Sequence, residues 1–413
     1  MDDKKTAIRI TRERMGRVFS PNQVLGRTVA IGCTAVEITQ RCNLDCTLCY
    51  LSERSEEVRD IPVQEVFHRL DQVRAQFGPD TSVQITGGDP TLRKHDELIA
   101  IVGHARNLGL FPALFTNGIA ASRKLLTRLA RAGLCDVAFH VDTTQRRDGF
   151  NSETDLNTVR QAYLERSAGL GIKVIFNTTI HDGNLHEIPA LVRFFTRHAD
   201  QIELVSLQVQ ASTGRGEWDT RSASVSLASV RRQIEKGARR PLPWDIIRVG
   251  HPGCHSYVPT LVINDKIHPI IEDVELFSRF LDDFDGAHYD RRESRARLLG
   301  GYLFAFARRP RWILRAARFV GNAVWRARRD LFAARLRVEH LSFFIQNFMD
   351  AANLDPERIE ACSFMVMTDR GPVSMCQHNA DRDDYILRPI TFYTSDGARQ
   401  VFHPIADTSR AEK

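Results

Sequence analysis

Residues 42–50 read CNLDCTLCY, with Cys42, Cys46 and Cys49 in a C-x3-C-x2-C pattern closed by the aromatic Tyr50. Three thiolates within eight residues, placed just after a predicted strand, can hold an iron–sulfur cube and leave one iron without a protein ligand. Zinc suits this spacing poorly, because its structural sites use C-x2-C pairs and four protein ligands.

Working outward, AVEIT at 35–39 reads as a strand that delivers the chain into this loop. Residues 63–77 have helical period, with Val63, Val66, Phe67, Leu70 and Val73 on one face. Further strands are predicted at 82–86, 111–116, 136–141, 173–180 and 202–209, and helices at 95–108, 122–132, 154–168 and 186–198. Six βα units with near-continuous apolar strands predict a parallel sheet covered by helices. Six are too few for a closed eight-fold barrel, so an open doubly wound sheet and a partial barrel both fit. Either places functional residues at the carboxyl ends of the strands, where the cysteine loop lies.

The alternation stops after residue 211. The expected organisation is an extension over 1–34, the βα array over 35–211, and a linker, helix and hairpin over 212–290 turned at Asn264 and Asp265. A basic amphipathic helical segment follows over 291–350, then a cysteine-bearing hairpin and tail over 351–413.

The 413 residues are 43% hydrophobic and 26% charged, as in an ordinary soluble protein. The N-terminus, MDDKKTAIRI, has no apolar core of a secretory leader and no run of 18 apolar residues occurs, so the expected compartment is the cytoplasm. The eight cysteines are then metal ligands or buried thiols and not a disulfide framework. Cys33 and Cys135, at strand starts, read as small core residues. The net charge of +6 hides an asymmetry: Arg291 to Arg337 holds 14 Arg and no Lys against Glu293 and Asp330.

CNLDCTLCY resembles the cluster motif of the radical S-adenosylmethionine (radical SAM) superfamily, and the likeness extends over roughly residues 33–210. Gly87, Gly88, Asp89 and Pro90 resemble that family's GGEP loop, which meets the methionine amino group, with Asp in place of Glu. Thr116, Asn117 and Gly118 match a common TNG, and Asp142 and Asn177 end the strands that contact ribose and carboxylate in the family. The resemblance implies a partial (β/α)6 TIM-like barrel and a [4Fe-4S] cluster on Cys42, Cys46 and Cys49. It also implies S-adenosylmethionine (SAM) cleaved to a hydrogen-abstracting 5′-deoxyadenosyl radical, Tyr50 near the adenine, and a flavodoxin- or ferredoxin-type electron donor.

Cys254, Cys362 and Cys376 make a second constellation, able to supply three ligands of an auxiliary iron–sulfur cluster with His251, His255, His378 or a substrate atom as the fourth. Three unrelated buried thiols are the alternative. HPGCH followed by ACSFMVMTDRGPVSMC is similar to the branch that includes archaeal tetraether lipid synthase and pterin methyltransferase-like proteins. Members of that branch carry an N-terminal metal module, and no such cysteine set precedes residue 33 here.

In RWILRAARFVGNAVWRARRDL (311–331), Arg311, Arg315, Arg318, Asn322, Arg326 and Arg329 share one helical face. Ile313, Ala316, Ala317, Val320, Val324, Ala327 and Leu331 gather opposite, with Trp312 and Trp325 near the boundaries. That pattern fits a helix on anionic lipid, and equally an Arg-coated helix packed on the protein's own core. Nucleic acid is not the expected partner, since aromatics are segregated from the cations and not interleaved with them. The leading expectation is a radical SAM enzyme acting on an apolar substrate, a lipid among them. The alternatives are a peptide-modifying maturase and a non-catalytic iron–sulfur scaffold or sensor. His140 and His181, at strand carboxyl ends, are further candidates to face substrate.

Overall fold

The computed structural model describes residues 2–216, 221–284, 300–301, 306, 308–394 and 396–405. Helix α1 (Asp2–Met15) precedes β1 (Cys33–Thr39), α2 (Val63–Phe77), β2 (Ser82–Gly87), α3 (His95–Asn107), β3 (Phe111–Thr116) and α4 (Arg123–Ala132). The array continues through β4 (Asp136–His140), α5 (Asn157–Ser167), β5 (Lys173–Ile180), α6 (Ile188–Arg197), β6 (Ile202–Val209) and α7 (Leu227–Ala238). Beyond it lie β7 (His255–Ile263), β8 (Lys266–Pro269), α8 (Val274–Asp283), α9 (Pro310–Ala333), β9 (Glu339–Asn347) and α10 (Pro356–Glu360). The chain ends with β10 (Phe364–Thr368), β11 (Gly371–Ser374), α11 (Met375–Ala380), α12 (Arg382–Ile386), β12 (Ile390–Tyr393) and β13 (Arg399–Phe402).

Strands β1 to β6 lie side by side in chain order, each parallel to the next. That is barrel winding; a doubly wound sheet reverses its strand order once. Alternation of side chains along each strand separates two environments. Val83 and Ile85 of β2, Leu114 of β3, Val137 and Phe139 of β4 and Phe176 of β5 are buried among helix residues such as Leu70, Leu98, Leu125 and Leu164. Each such side chain contributes about 1.5–3 kcal/mol by leaving water.

The sheet is wider than the six predicted units. Strand β9 pairs parallel to β6, and β10 pairs parallel to β1. Antiparallel strands finish the edges, β7 and β8 beside β9 and β11 beside β10. The expectation of helix through residue 350 is therefore corrected: EHLSFFIQN at 339–347 is a strand. A short apolar run suits helix or strand equally, and the open edge of β6 selects the strand. The hairpin turned at Asn264–Asp265 forms as expected, both residues adopting positive φ.

Where the two sides of the barrel approach, aromatic rings fill the seam. His255 stacks 5.2 Å from Phe344 of β9 and 5.2 Å from Phe364 of β10, and its Nε2 hydrogen-bonds Ser363 Oγ at 2.6 Å.

Helix α9 is present, but its two tryptophans have opposite surroundings. Trp312 does not sit at a water boundary: it is buried, with Nε1–H donating to Asp283 Oδ2 at 2.6 Å and its ring against Phe280 and Phe284. Trp325 is 67% exposed. The apolar stretch RLLGGYLFAFARR (297–309), which by sequence adds a second apolar patch bounded by Arg, lies mostly outside the described residues. No helix among the described residues is long and apolar enough to cross a membrane.

Candidate active site

The strand face turned away from the helices lines a cleft of about 200 Å³, partly open to solvent. Cys42, Cys46, Cys49 and Tyr50 form part of its wall, together with Gly87, Gly88, Asn117, His140 and Asn177. The strands add Glu37, Gln84, Gln208 and Gln346, none of which was singled out from sequence. A legible signal exists for them: each is one polar residue inside an aliphatic strand, in AVEIT, SVQIT, SLQV and FIQN. Such an interruption marks the side of a buried strand that faces a cavity.

The cysteine loop is fastened on three sides. Tyr50 donates its hydroxyl to Gly87 O at 2.5 Å, Thr47 N–H donates to Thr144 O at 2.9 Å, and Arg215 N–H donates to Leu51 O at 2.7 Å. Gly87 and Gly88 permit the first contact. A Cβ on Gly87 would lie 1.9 Å from Thr39 O and one on Gly88 2.0 Å from Arg41 O, so no side chain fits at either position. Asn117 Nδ2 donates to Asn43 Oδ1 at 2.7 Å and lies 3.9 Å from Cys42 Sγ.

Asp89, Pro90 and Asp142, expected at the cofactor, do not line the cleft. Asp89 is fully buried and its carboxylate accepts from Thr91 N (2.9 Å), Thr91 Oγ1 (2.5 Å), Thr116 Oγ1 (2.8 Å) and Asn117 N (2.9 Å). It ties the loop after β2 to the loop after β3 and does not line the cleft, and neither does Pro90. The reason is saturation: every lone pair is directed at a neighbouring turn. Asp142 is likewise fully buried, accepting from His140 Nε2 (2.6 Å), Thr144 N (3.0 Å) and Thr179 N (2.8 Å). His140 takes its place on the cleft wall. Burial opposes charge on both members, yet the pairing prevails, lowering the Asp142 carboxyl and raising the His140 imidazole. His181 is buried against Thr143 Oγ1 at 3.1 Å and does not reach the cleft.

Burial raises the Cys42 and Cys46 thiols, and the nearby negative groups, Asp89 or Asp142 and the neighbouring thiols of the loop, add to the rise. Thiolates in such a place need a cationic partner, and an iron–sulfur cluster supplies one. The Nε of Arg215 beside this loop is buried with no hydrogen-bond partner among the described residues. The donor set fits a cluster. Among the described residues no three His, Cys, Asp or Glu side chains converge tightly enough for a single metal ion.

Cys254, Cys362 and Cys376 are all buried and close enough to influence one another electrostatically. Burial pushes Cys376 up to about 12, and Arg358 Nε donates to Cys254 Sγ at 3.2 Å. Phe364 and Met375, one residue beyond Ser363 and one before Cys376, line the cleft, so this thiol group stands behind its wall. Of the three histidines, His251 accepts from Gly253 N at Nδ1, while His255 in the seam and His378 against Tyr385 each keep a buried Nδ1 with no hydrogen-bond partner among the described residues. Cys33, pushed up to about 12 by burial, packs in the same buried cluster as Cys362, and Cys135 accepts from Arg106 Nη1 at 3.6 Å.

Residues 36–195 match the Radical SAM superfamily. The 7,8-dihydro-6-hydroxymethylpterin dimethyltransferase of Methanocaldococcus jannaschii is 25% identical over 186 residues, 44% of this chain and 36% of that protein. PqqA peptide cyclase of a Methylobacterium species is 30% identical over 179 residues, 42% and 45% of the two chains. Fe-coproporphyrin III synthase of Methanosarcina barkeri is 25% identical over 252 residues, 58% and 61%. The chain thus spans between about a third and three fifths of these relatives. Among solved structures, Streptococcus suis SuiB bound to S-adenosylmethionine aligns with a TM-score of 0.39 at 19% identity, covering 49% of this chain and 45% of that one.

Proposed function

We propose, because residues 36–195 match the Radical SAM superfamily, that this protein is an enzyme that holds a [4Fe-4S] cluster on Cys42, Cys46 and Cys49 and uses SAM to abstract hydrogen from its substrate. When bound, that pair supplies reductive cleavage of the sulfonium and a 5′-deoxyadenosyl radical. The observation that carries the reading is the meeting of the three thiols, the bare Gly87–Gly88 backbone, Asn117 and Asn177 on one cleft wall. Gly87 and Gly88 offer backbone to the cofactor, Tyr50 holds their loop, and His140 with Asn177 faces the cleft from β4 and β5. Leu44, Leu48, Phe115 and Phe348 shield the remainder from water. The electron comes from a flavodoxin- or ferredoxin-type donor. Cys254, Cys362 and Cys376 hold an auxiliary cluster behind Phe364 and Met375. Anaerobic reconstitution tests both: about eight irons per chain are expected, and about four after Cys42, Cys46 and Cys49 are changed to Ala. Wild type with about four irons overturns the auxiliary cluster. Failure of the reduced enzyme to form 5′-deoxyadenosine from SAM overturns the reaction and favours a scaffold.

The substrate reading is an apolar molecule reached from a membrane surface. Its support is α9, which turns Leu314 (76% exposed), Trp325 and Phe332 (87% exposed) outward. Arg311, Arg315 and Arg318 flank them, as a helix on anionic lipid requires. The second reading, a peptide, rests on the likeness to PqqA peptide cyclase. Flotation with phosphatidylglycerol vesicles separates them: no binding at low salt removes the membrane reading. Stimulation of 5′-deoxyadenosine formation by a peptide library, and not by lipid extract, establishes the second.

A further inference from the structure

The tripeptide Gly214-Arg215-Gly216, read from sequence as part of a linker, lies flat on the cysteine loop. Gly214 has φ +62°, and a Cβ there would stand 2.4 Å from Tyr50 C, while one on Gly216 would stand 3.0 Å from Cys49 N. Neither flanking position leaves room for a side chain, so Arg215 alone projects one. Its side chain is mostly buried and lies across the loop from end to end. Nη2 reaches Leu44 O at 3.5 Å, Nε is 3.7 Å from Asp45 Oδ1, and Nη1 is 3.4 Å from Glu56 Oε1. That same Glu56 oxygen accepts from Cys42 N at 3.4 Å. The first and last cysteines are thereby joined: Cys42 through Glu56, and Cys49 through the backbone on either side of Arg215, where a Cβ on Gly214 would stand 2.6 Å from Cys49 O and one on Gly216 3.0 Å from Cys49 N.

We propose that Arg215 is a positioning residue that clamps the loop carrying Cys42, Cys46 and Cys49 and, by placing a permanent positive charge beside Cys49, raises the reduction potential of the cluster held there. The inference rests on the cluster assignment above. Its physical basis is that one-electron reduction adds a negative charge to the cluster. A guanidinium beside it, shielded from water on most sides, stabilises the reduced form more than the oxidised one. Arginine is suited to this because it stays charged at all working pH values and its planar fork reaches several acceptors at once. Glu56 tempers the same field from the outer side.

The test uses the full-length chain, reconstituted anaerobically, with the midpoint potential read by redox titration of the reduced-cluster paramagnetic signal. Arg215→Gln is expected to shift the midpoint to a more negative potential. Arg215→Lys, which keeps the charge and loses the fork, is expected to fall between Arg215→Gln and wild type. Glu56→Gln removes the opposing charge and is expected to shift the midpoint the other way. Iron content and far-ultraviolet circular dichroism are read alongside. Loss of iron by Arg215→Gln in a folded chain, restored by Arg215→Lys, supports the clamp. If neither Arg215 variant folds, the direction of the Glu56→Gln shift decides. Wild-type midpoints in Arg215→Gln and Glu56→Gln at wild-type iron content overturn the inference while leaving the cluster assignment standing. A wild-type chain that assembles no cluster overturns both.

Discussion

Arg382 and Glu37 form a two-pronged ion pair, Nη1 to Oε2 and Nη2 to Oε1 both at 2.9 Å, between residues 345 positions apart. Glu37 faces the cleft from β1, and Arg382 comes from the C-terminal α12. The guanidinium also lies 4.7 Å from the Tyr50 ring centre. The last part of the chain thus braces the first strand and the cysteine loop together.

Breaking this pair leaves a buried carboxylate alone, so Arg382→Ala is expected to cost about 3–5 kcal/mol at neutral pH. Burial pushes the Glu37 carboxyl up, but Arg382 and then His378 reverse this and bring it down to about 2. The unfolded value is about 4.3. The depressed value means stabilisation fully present above about 4.3 and lost as pH falls through about 2. Urea denaturation across that range measures it. A wild-type curve parallel to that of Arg382→Ala would show that the pair contributes nothing.

Asp89 has a structural task that its position in a cofactor-like motif conceals. Asp89→Ala would leave Thr91 N, Thr116 Oγ1 and Asn117 N without their acceptor, at about 1–3 kcal/mol for each group left unpaired. Thermal melting of the metal-free chain is expected to show the loss. An unchanged melt, combined with weakened SAM binding in the reconstituted enzyme, would return Asp89 to the role of direct ligand.

His140 and Asp142 make a pH-sensitive pair. Burial works against the imidazolium, but the Asp142 charge and hydrogen bond outweigh it and raise the His140 value above the ordinary one. Sharing of the proton therefore stabilises the fold below the unfolded histidine value of about 6.5, and that contribution fades as pH rises through the higher folded value. In Asp142→Asn the His140 resonance, followed by NMR, is expected to titrate at lower pH than in wild type. An unshifted titration would show that the contact does not hold the proton.

The two tryptophans of α9 separate stability from surface contact. Trp312→Ala removes a buried ring and a bond to Asp283, and about 3–5 kcal/mol is expected as an upper range. Trp325→Ala changes an exposed ring stacked under Arg328 at 4.0 Å, with stability kept within about 0.5 kcal/mol. On the membrane reading it weakens vesicle flotation. Equal melting losses in the two variants would show that Trp325, too, is packed.

Much of this was legible in order along the chain. The C-x3-C-x2-C spacing, the βα alternation from 35 to 209 and the turn at Asn264–Asp265 are local signals, since a helix or strand face is set by residues within a few positions of one another. Sequence also located the Gly87–Gly88 turn and Asn117 at the correct strand ends. What it left open depends on partners brought from far away. Whether 339–347 was helix or strand turned on the free edge of β6. Whether Asp89 or Asp142 met the cleft turned on how many neighbouring turns claimed their oxygens, and in both cases the claim was complete. No local pattern marks Arg215 or Arg382, and only the fold carries them to the cysteine loop and to Glu37. Local chemistry determined the elements and the loop that would hold a cluster. Tertiary structure decided which polar groups were left free to act, because a buried donor or acceptor is spent on whichever partner folding brings within reach.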